Sequence, residues 1–542
     1  MVCCIVTSST KEIMLIIQNL SYTHPNKDLL FGNINLTVNS GEKIALIGNN
    51  GSGKSTLLKI MAGLLKPLSG SVNSNSKPYY IPQIFGQYNN STIAEALDVD
   101  KKLTALHEIL KGNISEENYE ILNDDWTIED RCNEVLKHWQ LNDLDLSQKM
   151  ETLSGGQKTK VFLAGISINK PELILLDEPS NHLDFESREL LYDFIRFTKS
   201  TLIVVSHDRK LLNILNKVCE LTKNGVTVYG GNFDFYTEQK QIEKNALAQD
   251  IHSKEKALKK AREKERETIE RQQKLDSRGK GKQEKSGVAK IMMNTLRNNA
   301  ENSTAKLKSV HTEKIGNIRD ELQDLRSSVV ATEQMKFGFN SSSLHKGKVL
   351  FTAENINFKY ANSDFIWKKN LNLQILSGSR IAIKGSNGSG KTTFIKILLG
   401  KLEPQHGTVF RKESKSVYID QDYSLIDNDL KVYEQAQQFN TLNLEEHEVK
   451  IRLNRFLFPQ NTWDKPCSAL SGGERMRLML CCLSIGSESP DIIILDEPTN
   501  NLDIQNIEIL TNAINDYEGT LLVISHDETF LHQIDINHII NL

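Results

Sequence analysis

Two stretches of this chain carry the residues that phosphate chemistry needs, in the same order. Gly48-Asn49-Asn50-Gly51-Ser52-Gly53-Lys54-Ser55 fits the pattern G-x-x-x-x-G-K-[ST], and Gly385-Ser386-Asn387-Gly388-Ser389-Gly390-Lys391-Thr392 fits it again. The glycines let consecutive backbone N–H groups turn toward a triphosphate, and a following helix adds the positive end of its dipole. Lys54 and Lys391 then reach the outer phosphates. The Ser55 and Thr392 hydroxyls are candidates for a Mg²⁺ site, and Thr56 and Thr393 continue each loop. A single match could be a glycine-rich turn; two in the same context argue against that.

Acidic and imidazole side chains recur downstream of both loops. Asp177 and Asp496 end apolar runs, where a carboxylate can hold Mg²⁺. Glu178 and Glu497 follow directly, placed to orient an attacking water or take its proton. His207 and His526 lie just past another apolar run, within reach of a γ-phosphate. One such histidine would more often be structural, but its recurrence favours function. Ser154-Gly155-Gly156-Gln157 and Ser471-Gly472-Gly473-Glu474 open helical patterns, where small residues at a helix N-terminus make a phosphate cradle.

The elements that must position these groups are legible from periodicity. Each loop follows an apolar strand-like run, Ile44–Ile47 or Ile381–Ile383, and enters a helical pattern. Strand and helix patterns alternate through both copies, as α/β units around a parallel sheet require. The block from Met14 to about residue 236 recurs from about residue 345 to Leu542. One spacing differs: 71 positions separate Gln83 from Ser154, and 50 separate Gln421 from Ser471. The first copy therefore carries extra residues within about 98–141, either a helical hairpin or arm or a longer surface loop.

Between the copies, residues 237–344 are rich in Lys, Arg, Glu and Gln. Ile315, Ile318, Leu322, Leu325 and Val329 make a heptad seam, and Leu247, Ile251, Leu258 and Ala261 share a weaker one. We read two long antiparallel helices, with Ser277-Arg278-Gly279-Lys280-Gly281-Lys282 as the turn between them. The tip near 271–297 is basic, with Arg271, Lys274, Arg278, Lys280, Lys282, Lys285, Lys290 and Arg297.

Composition narrows the function classes. The chain of 542 residues is long enough for two or three cored domains. Its net charge of −3 says little about partners, because the positive charge is gathered in the linker. No run approaches the ~20 apolar residues that cross a bilayer. The Met1–Val6 run is short and lacks a basic leader, a poor signal peptide; residues 1–13 read as a disordered tail or an over-long start. Seven cysteines without a C-x-x-C suggest reduced thiols in a cytosolic protein.

The order of P-loop, glutamine (Gln83, Gln421), L-S-G-G-[QE], strand-D-E-P and strand-S-H-D resembles the ATP-binding cassette family over both copies. Asp177-Glu178-Pro179-Ser180-Asn181-His182-Leu183-Asp184 and Asp496-Glu497-Pro498-Thr499-Asn500-Asn501-Leu502-Asp503 resemble the D-E-P-T-N-H-L-D of its soluble F subfamily. Tyr229 to Tyr236 is similar to the segment that precedes that subfamily's linker. The resemblance implies two P-loop cassettes in tandem, joined by an α-helical coiled hairpin, and an ATPase that uses ATP and Mg²⁺. Each ATP would be held by one cassette (Lys54, Gln83, Asp177 and Glu178, or Lys391, Gln421, Asp496 and Glu497) and closed over by the other's signature. Gln83 and Gln421 would join the metal ligands. Tyr360 would stack on adenine in the second cassette, and either Tyr22 or His24 in the first. The implied partner is the ribosome, near rRNA and tRNA, in the cytoplasm, with no membrane domain and no DNA, by a monomer whose cassettes pair within one chain. Antibiotic protection and translation regulation both remain open. The alternative is the ATP-binding subunit of a membrane transporter.

Overall fold

The computed structural model describes residues 12–24, 28–283, 309–310, 312–326, 345–361, 364–386, 388–441, 443–486 and 490–542. Most of the expected N-terminal tail lies outside these residues, and the first strand already begins at Ile13. The chain divides into two compact units: both cassettes together, and the linker from Phe235 to Glu333.

Among the described residues the first cassette has nine strands: β1 (Ile13–Thr23), β2 (Leu29–Asn39), β3 (Lys43–Ile47), β4 (Ser69–Ser74), β5 (Tyr79–Ile81), β6 (Leu173–Asp177), β7 (Thr201–Val205), β8 (Lys217–Thr222) and β9 (Gly225–Tyr229). They form a three-stranded antiparallel sheet, β2-β1-β4, and a six-stranded sheet, β5-β6-β7-β3-β8-β9, parallel except at β9. The second cassette repeats this with β10 (Val349–Asn357), β11 (Leu371–Leu376), β12 (Arg380–Lys384), β13 (His406–Arg411), β14 (Ser416–Ile419), β15 (Ile492–Asp496), β16 (Thr520–Ile524) and β17 (His538–Asn541). Its sheets are β11-β10-β13 and the parallel β14-β15-β16-β12-β17.

Continuous apolar runs such as Leu173-Ile174-Leu175-Leu176 suit strands covered on both faces, and β6, β7 and β16 are buried throughout. Parallel register fixes which ends meet: Asp177 pairs with Val205, and Asp496 with Ile524. The carboxylates, the P-loops after β3 and β12, and the histidines past β7 and β16 thus collect at the carboxyl ends of the strands. That is where open α/β sheets bind ligands.

Gly53 and Gly390 sit at φ 95° and 90°, each capping the helix that follows its P-loop. A Cβ would lie 2.8 Å from Phe31 and Leu30 at the first, and 2.5 Å from Ile366 at the second. Glycine is needed there for space as well as for backbone angle. Residues 98–141 contain three helices, Asp100–Leu110, Glu116–Leu122 and Ile128–His138. In the second cassette the helix Val432–Gln438 matches Ile93–Ala96 ahead of this region, and Glu446–Arg455 is the helix that stands in the matching stretch.

In the linker, one helix runs from Phe233 to Gln283, starting before the expected boundary at 237. Phe233 is buried, and Asp234 exchanges two 2.9 Å hydrogen bonds with Asn213. The expected turn at Ser277–Lys282 is not a turn, because the helix passes through it. A glycine costs about 1 kcal/mol relative to alanine in a helix, and Gly279 and Gly281 stand among good helix formers with no proline nearby. Of the basic tip, Arg271, Lys274 and Arg278 are exposed. The side chains of Lys280 and Lys282, and residues Lys285, Lys290 and Arg297, lie outside the described set, as does Val329.

The seam is present on both helices. Leu247, Ile251, Lys254, Leu258, Ala261, Glu265 and Thr268 are half-buried at alternating steps of four and three. Facing them on helical residues 312–326, Leu322 is buried and Ile315, Ile318 and Leu325 half-buried. Lys254 pairs with Glu321, and Arg326 with Glu255 at 2.6 Å, in largely solvent-exposed ion pairs. Such pairs add little, so the apolar seam carries the association. Leu322→Ala should weaken the hairpin by about 2 kcal/mol. Hydrogen exchange would show this as lost protection in 247–268 and 312–326, with the cassette strands unchanged; equal protection in both proteins would contradict it.

Candidate functional site

Each P-loop lysine lies curled into its own loop. Lys54 Nζ donates to Gly48 O (2.7 Å) and Asn49 O (3.2 Å); Lys391 Nζ donates to Gly385 O (2.8 Å) and Ser386 O (3.0 Å). Burial lowers the pKa of both ammonium groups, opposed at Lys54 by Glu178, Asp503 and Asp177. Ser52 Oγ and Ser389 Oγ are buried without a hydrogen-bond partner, in loops of the shape that takes phosphate. Ser55 Oγ donates to Asp177 Oδ1 at 3.1 Å.

The carboxylate pairs sit at the ends of β6 and β15. Tyr80 Oη donates to Asp177 Oδ2 at 3.3 Å, and Tyr418 Oη to Asp496 Oδ2 at 2.8 Å. Tyr80 and Tyr418 each stand three residues before Gln83 or Gln421, so the repeat was visible in the sequence, but their role needed the structure. Glu178 and Glu497 have left-handed backbones, φ 52° and 48°, which turn their N–H groups onto Val205 O and Ile524 O, both at 2.8 Å. A non-glycine residue pays roughly 1–2 kcal/mol for that conformation, a strain that clusters at functional sites.

His207 Nε2 lies 3.3 Å from Glu178 Oε1, and His526 Nε2 3.4 Å from Glu497 Oε1. Burial pushes Glu178 up to about 8 and Glu497 up to about 7. It pushes His207 down to about 3 and His526 down to about 4. Burial thus disfavours an ion pair at either site: the imidazole is neutral, and each glutamate takes up a proton more readily than an exposed one would.

A cavity of 350 Å³ brings together Asn50, Gly51, Gly53, Lys54, Ser55, Thr56, Gln83, Asp177, Glu178 and His207. His24 lines it too, whereas Tyr22 packs on the core beside Phe31. Of the two candidates for the adenine, His24 is the one at the cavity. Ser471 and Asn501 of the second cassette close its far side. Asn50 reinforces that closure: its N–H donates to Asp503 Oδ2 (2.9 Å) and its amide to Asn501 O (3.1 Å).

The second cavity, 600 Å³, gathers Tyr360, Gly388, Gly390, Lys391, Thr392, Thr393, Gln421, Asp496 and Glu497. Tyr360 Oη lies 3.0 Å from Thr393 Oγ1. Gly385, Ser386 and His526 line an adjoining cavity of 280 Å³ with Asp184 of the first cassette. Asn387 lies outside the described residues, and Ser154, Gly155, Gly156 and Gln157 are not among those lining the second cavity.

The signature residues have a local role as well. Ser154 and Ser471 cap the helices Gly155–Asn169 and Gly472–Ile485, and Gln157 and Glu474 complete reciprocal capping boxes. Glu474 is also 3.1 Å from Lys465 Nζ. The sequence reading gave Gln157 and Glu474 to nucleotide; in this structure their side chains are held by their own helix starts. Gly472 and Gly473 lie in the first turn of the second of these helices, next to Ser471.

Comparison with known proteins agrees with this arrangement. The family model described as ABC transporter matches residues 31–181 and 368–500. The ATP-binding protein Uup of Escherichia coli is 31% identical over 93% of this chain and 76% of its own length. YfmM of Bacillus subtilis, an ABC transporter ATP-binding protein, is 29% identical over 95% and 96%. ABC transporter F family member 5 of Arabidopsis thaliana is 29% identical over 93% and 71%. Among solved structures, archaeal aABCE1 in complex with aP1 shares the fold, with a TM-score of 0.57 and 20% identity over 95% of this chain and 86% of that one. Tandem matched domains, intact P-loops and relatives that cover 93–95% of the chain make this protein a two-cassette ATPase of the ATP-binding cassette family, in its F subfamily.

Proposed function

We propose that this chain is a ribosome-associated ATPase whose cassettes close over two ATP molecules and thereby move the hairpin. Its working parts are cassettes at 14–236 and 345–542 and a linker at 237–344. The observation that carries the reading is the first cavity, where Ser471 of one cassette faces the P-loop of the other. A nucleotide there adds contacts that exist only in the closed form, so binding and hydrolysis select between two shapes.

At each site the loop N–H groups and Lys54 or Lys391 hold the phosphates. Ser55, Gln83 and Asp177 would hold Mg²⁺ at the first site, and Thr392, Gln421 and Asp496 at the second. Hydroxyl, amide and carboxylate oxygens suit this hard dication. Burial raises the pKa of both aspartates, so positive charge beside them is favourable. Mg²⁺, when bound, supplies charge neutralisation for the β- and γ-phosphates. Glu178 and Glu497 orient the attacking water and take its proton as the new O–P bond forms and ADP leaves with the electrons of the β–γ bridge. His207 and His526, neutral, donate to the γ-phosphate.

A general base of this kind contributes roughly 10²–10⁴-fold. Glu178→Gln combined with Glu497→Gln should cut turnover by at least about a hundredfold and hold the closed form on its target. Normal steady-state ATP hydrolysis by the double variant would overturn the assignment.

Ribosome association is supported by F-subfamily membership and by the exposed basic residues Arg271, Lys274 and Arg278 on the linker helix. Two proteins of similar fold are described as an archaeal ribosome recycling factor and as ribosome-bound ABCE1. Among the described residues no helix is long and apolar enough to cross a membrane. We assign the cytoplasm as the site of action, and the monomer as the working form. Charge reversal at Lys280, Lys282 and Lys285 should weaken ribosome co-sedimentation and flatten its salt dependence, because each lost phosphate contact removes about 0.7–0.9 from the log–log slope. Unchanged binding would exclude the tip as an rRNA contact.

We favour protection of the peptidyl-transferase region against antibiotics over routine translation regulation. The linker helix Phe233–Gln283 has 51 residues, and at about 1.5 Å per residue it spans roughly 76 Å, long enough for a tip to travel far. Expression in a susceptible bacterium should raise the inhibitory concentration of at least one lincosamide, pleuromutilin, macrolide or oxazolidinone. No change in any series would move the reading to a translation factor.

A further inference from the structure

The two P-loops differ in what packs against their last glycine. A Cβ on Gly53 would meet Leu30 and Phe31, each at 2.8 Å. A Cβ on Gly390 would meet Ile366 at 2.5 Å and the indole nitrogen of Trp367 at 3.0 Å. Phe31 and Trp367 are both buried, but only the indole carries a donor. Trp367 Nε1 donates to Ser389 O, the carbonyl before Gly390, at 3.1 Å.

Trp367 is itself held from behind. Its N–H donates to Asn357 Oδ1 (3.3 Å), and its carbonyl accepts from Asn357 Nδ2 (2.8 Å). Asn357 is buried, and its amide also accepts from Phe358 N–H (2.9 Å) and donates to Asn370 Oδ1 (3.0 Å). A buried amide satisfied at both ends resists turning, so the backbone that carries the indole is fixed beside the loop.

Ser389 O and Gly390 N–H belong to one planar peptide unit. In a trans peptide the two groups point in opposite directions. A bond that anchors the carbonyl on Trp367 therefore turns Gly390 N–H away from the indole and holds it there. Gly390 lines the second cavity, and loop N–H groups are what a P-loop offers to phosphate. At the first site the phenyl ring of Phe31 has nothing with which to hold Ser52 O in the same way.

We propose that Trp367 is a positioning residue of the second ATP site, whose indole N–H sets the Ser389–Gly390 peptide for phosphate, and that the first site lacks this tie because Phe31 fills the place. The inference rests on the two-site reading above. A loop N–H of this kind serves bound ATP, the reacting complex and ADP alike. It strengthens nucleotide binding and leaves the chemical step alone. The two sites then differ in affinity although both keep their lysine and carboxylates.

Trp367→Phe keeps an aromatic ring in the core and removes the donor. The test places it in the full-length chain in two backgrounds, Glu178→Gln to isolate the second site and Glu497→Gln to isolate the first. In the first background, KM for ATP and the inhibition constant for ADP should rise together, roughly threefold to tenfold, with kcat changed by less than about twofold. In the second background, neither constant should move by more than about twofold. Should Trp367→Phe fail to fold, benzothienylalanine in place of Trp367 keeps the bicyclic shape without the N–H and should give the same shifts. An unchanged KM at the second site, a loss of kcat alone, or an equal rise in both backgrounds would overturn the proposal. Turnover surviving in Glu178→Gln with Glu497→Gln would instead overturn the two-site reading beneath it.

Discussion

The whole nucleotide-binding unit answers to one constraint: a lysine ammonium and two carboxyl groups must share a buried strand end. Lys54 meets it by donating to Gly48 O and Asn49 O, close to Asp177, Glu178 and Asp503. Each of those charges is costly to bury alone and tolerable only beside the others. The left-handed glutamates, the tyrosines on the aspartates and the neutral histidines all lower that cost. Ser52 and Ser389 hydroxyls are buried in the P-loops without partners, as groups that bond a phosphate would be.

Repetition of the chain does not make the two halves equal. The first cavity is the smaller and has Ser471 and Asn501 from across the interface on its wall; the second has its own cassette's residues. Asp503 reaches the first P-loop directly, whereas Asp184 borders a separate space next to His526. Side chains flanking the shared motifs, not the motifs themselves, set the difference.

Much of the fold was legible because it rests on local patterns. The P-loops, the buried strands ending in Asp177 and Asp496, and the repeat itself followed from residue type and spacing. The twin-cassette architecture and its family are confirmed by the matched domains and the relatives. What escaped depended on context. Gly279 and Gly281 look like a turn, yet two glycines cost too little to stop a helix already packed along a seam. The capping boxes that the Gln157 and Glu474 side chains close are a further role, one that their spacing from Ser154 and Ser471 also fits. The pairing of Asn50 with Asp503 joins residues far apart in the chain and has no local signal at all.

The seam of the hairpin has a consequence for how this chain can vary in length. Its half-buried positions from Leu247 to Thr268 advance by four and three, so they repeat every seven residues. Adding or removing one residue inside that stretch turns everything beyond it by about 100° and shifts it by about 1.5 Å. Leu258 and Ala261 would then face water, and charged neighbours would face Leu322. Length changes within the arm are tolerable only in whole heptads, so natural variants that lengthen or shorten it should do so by sevens.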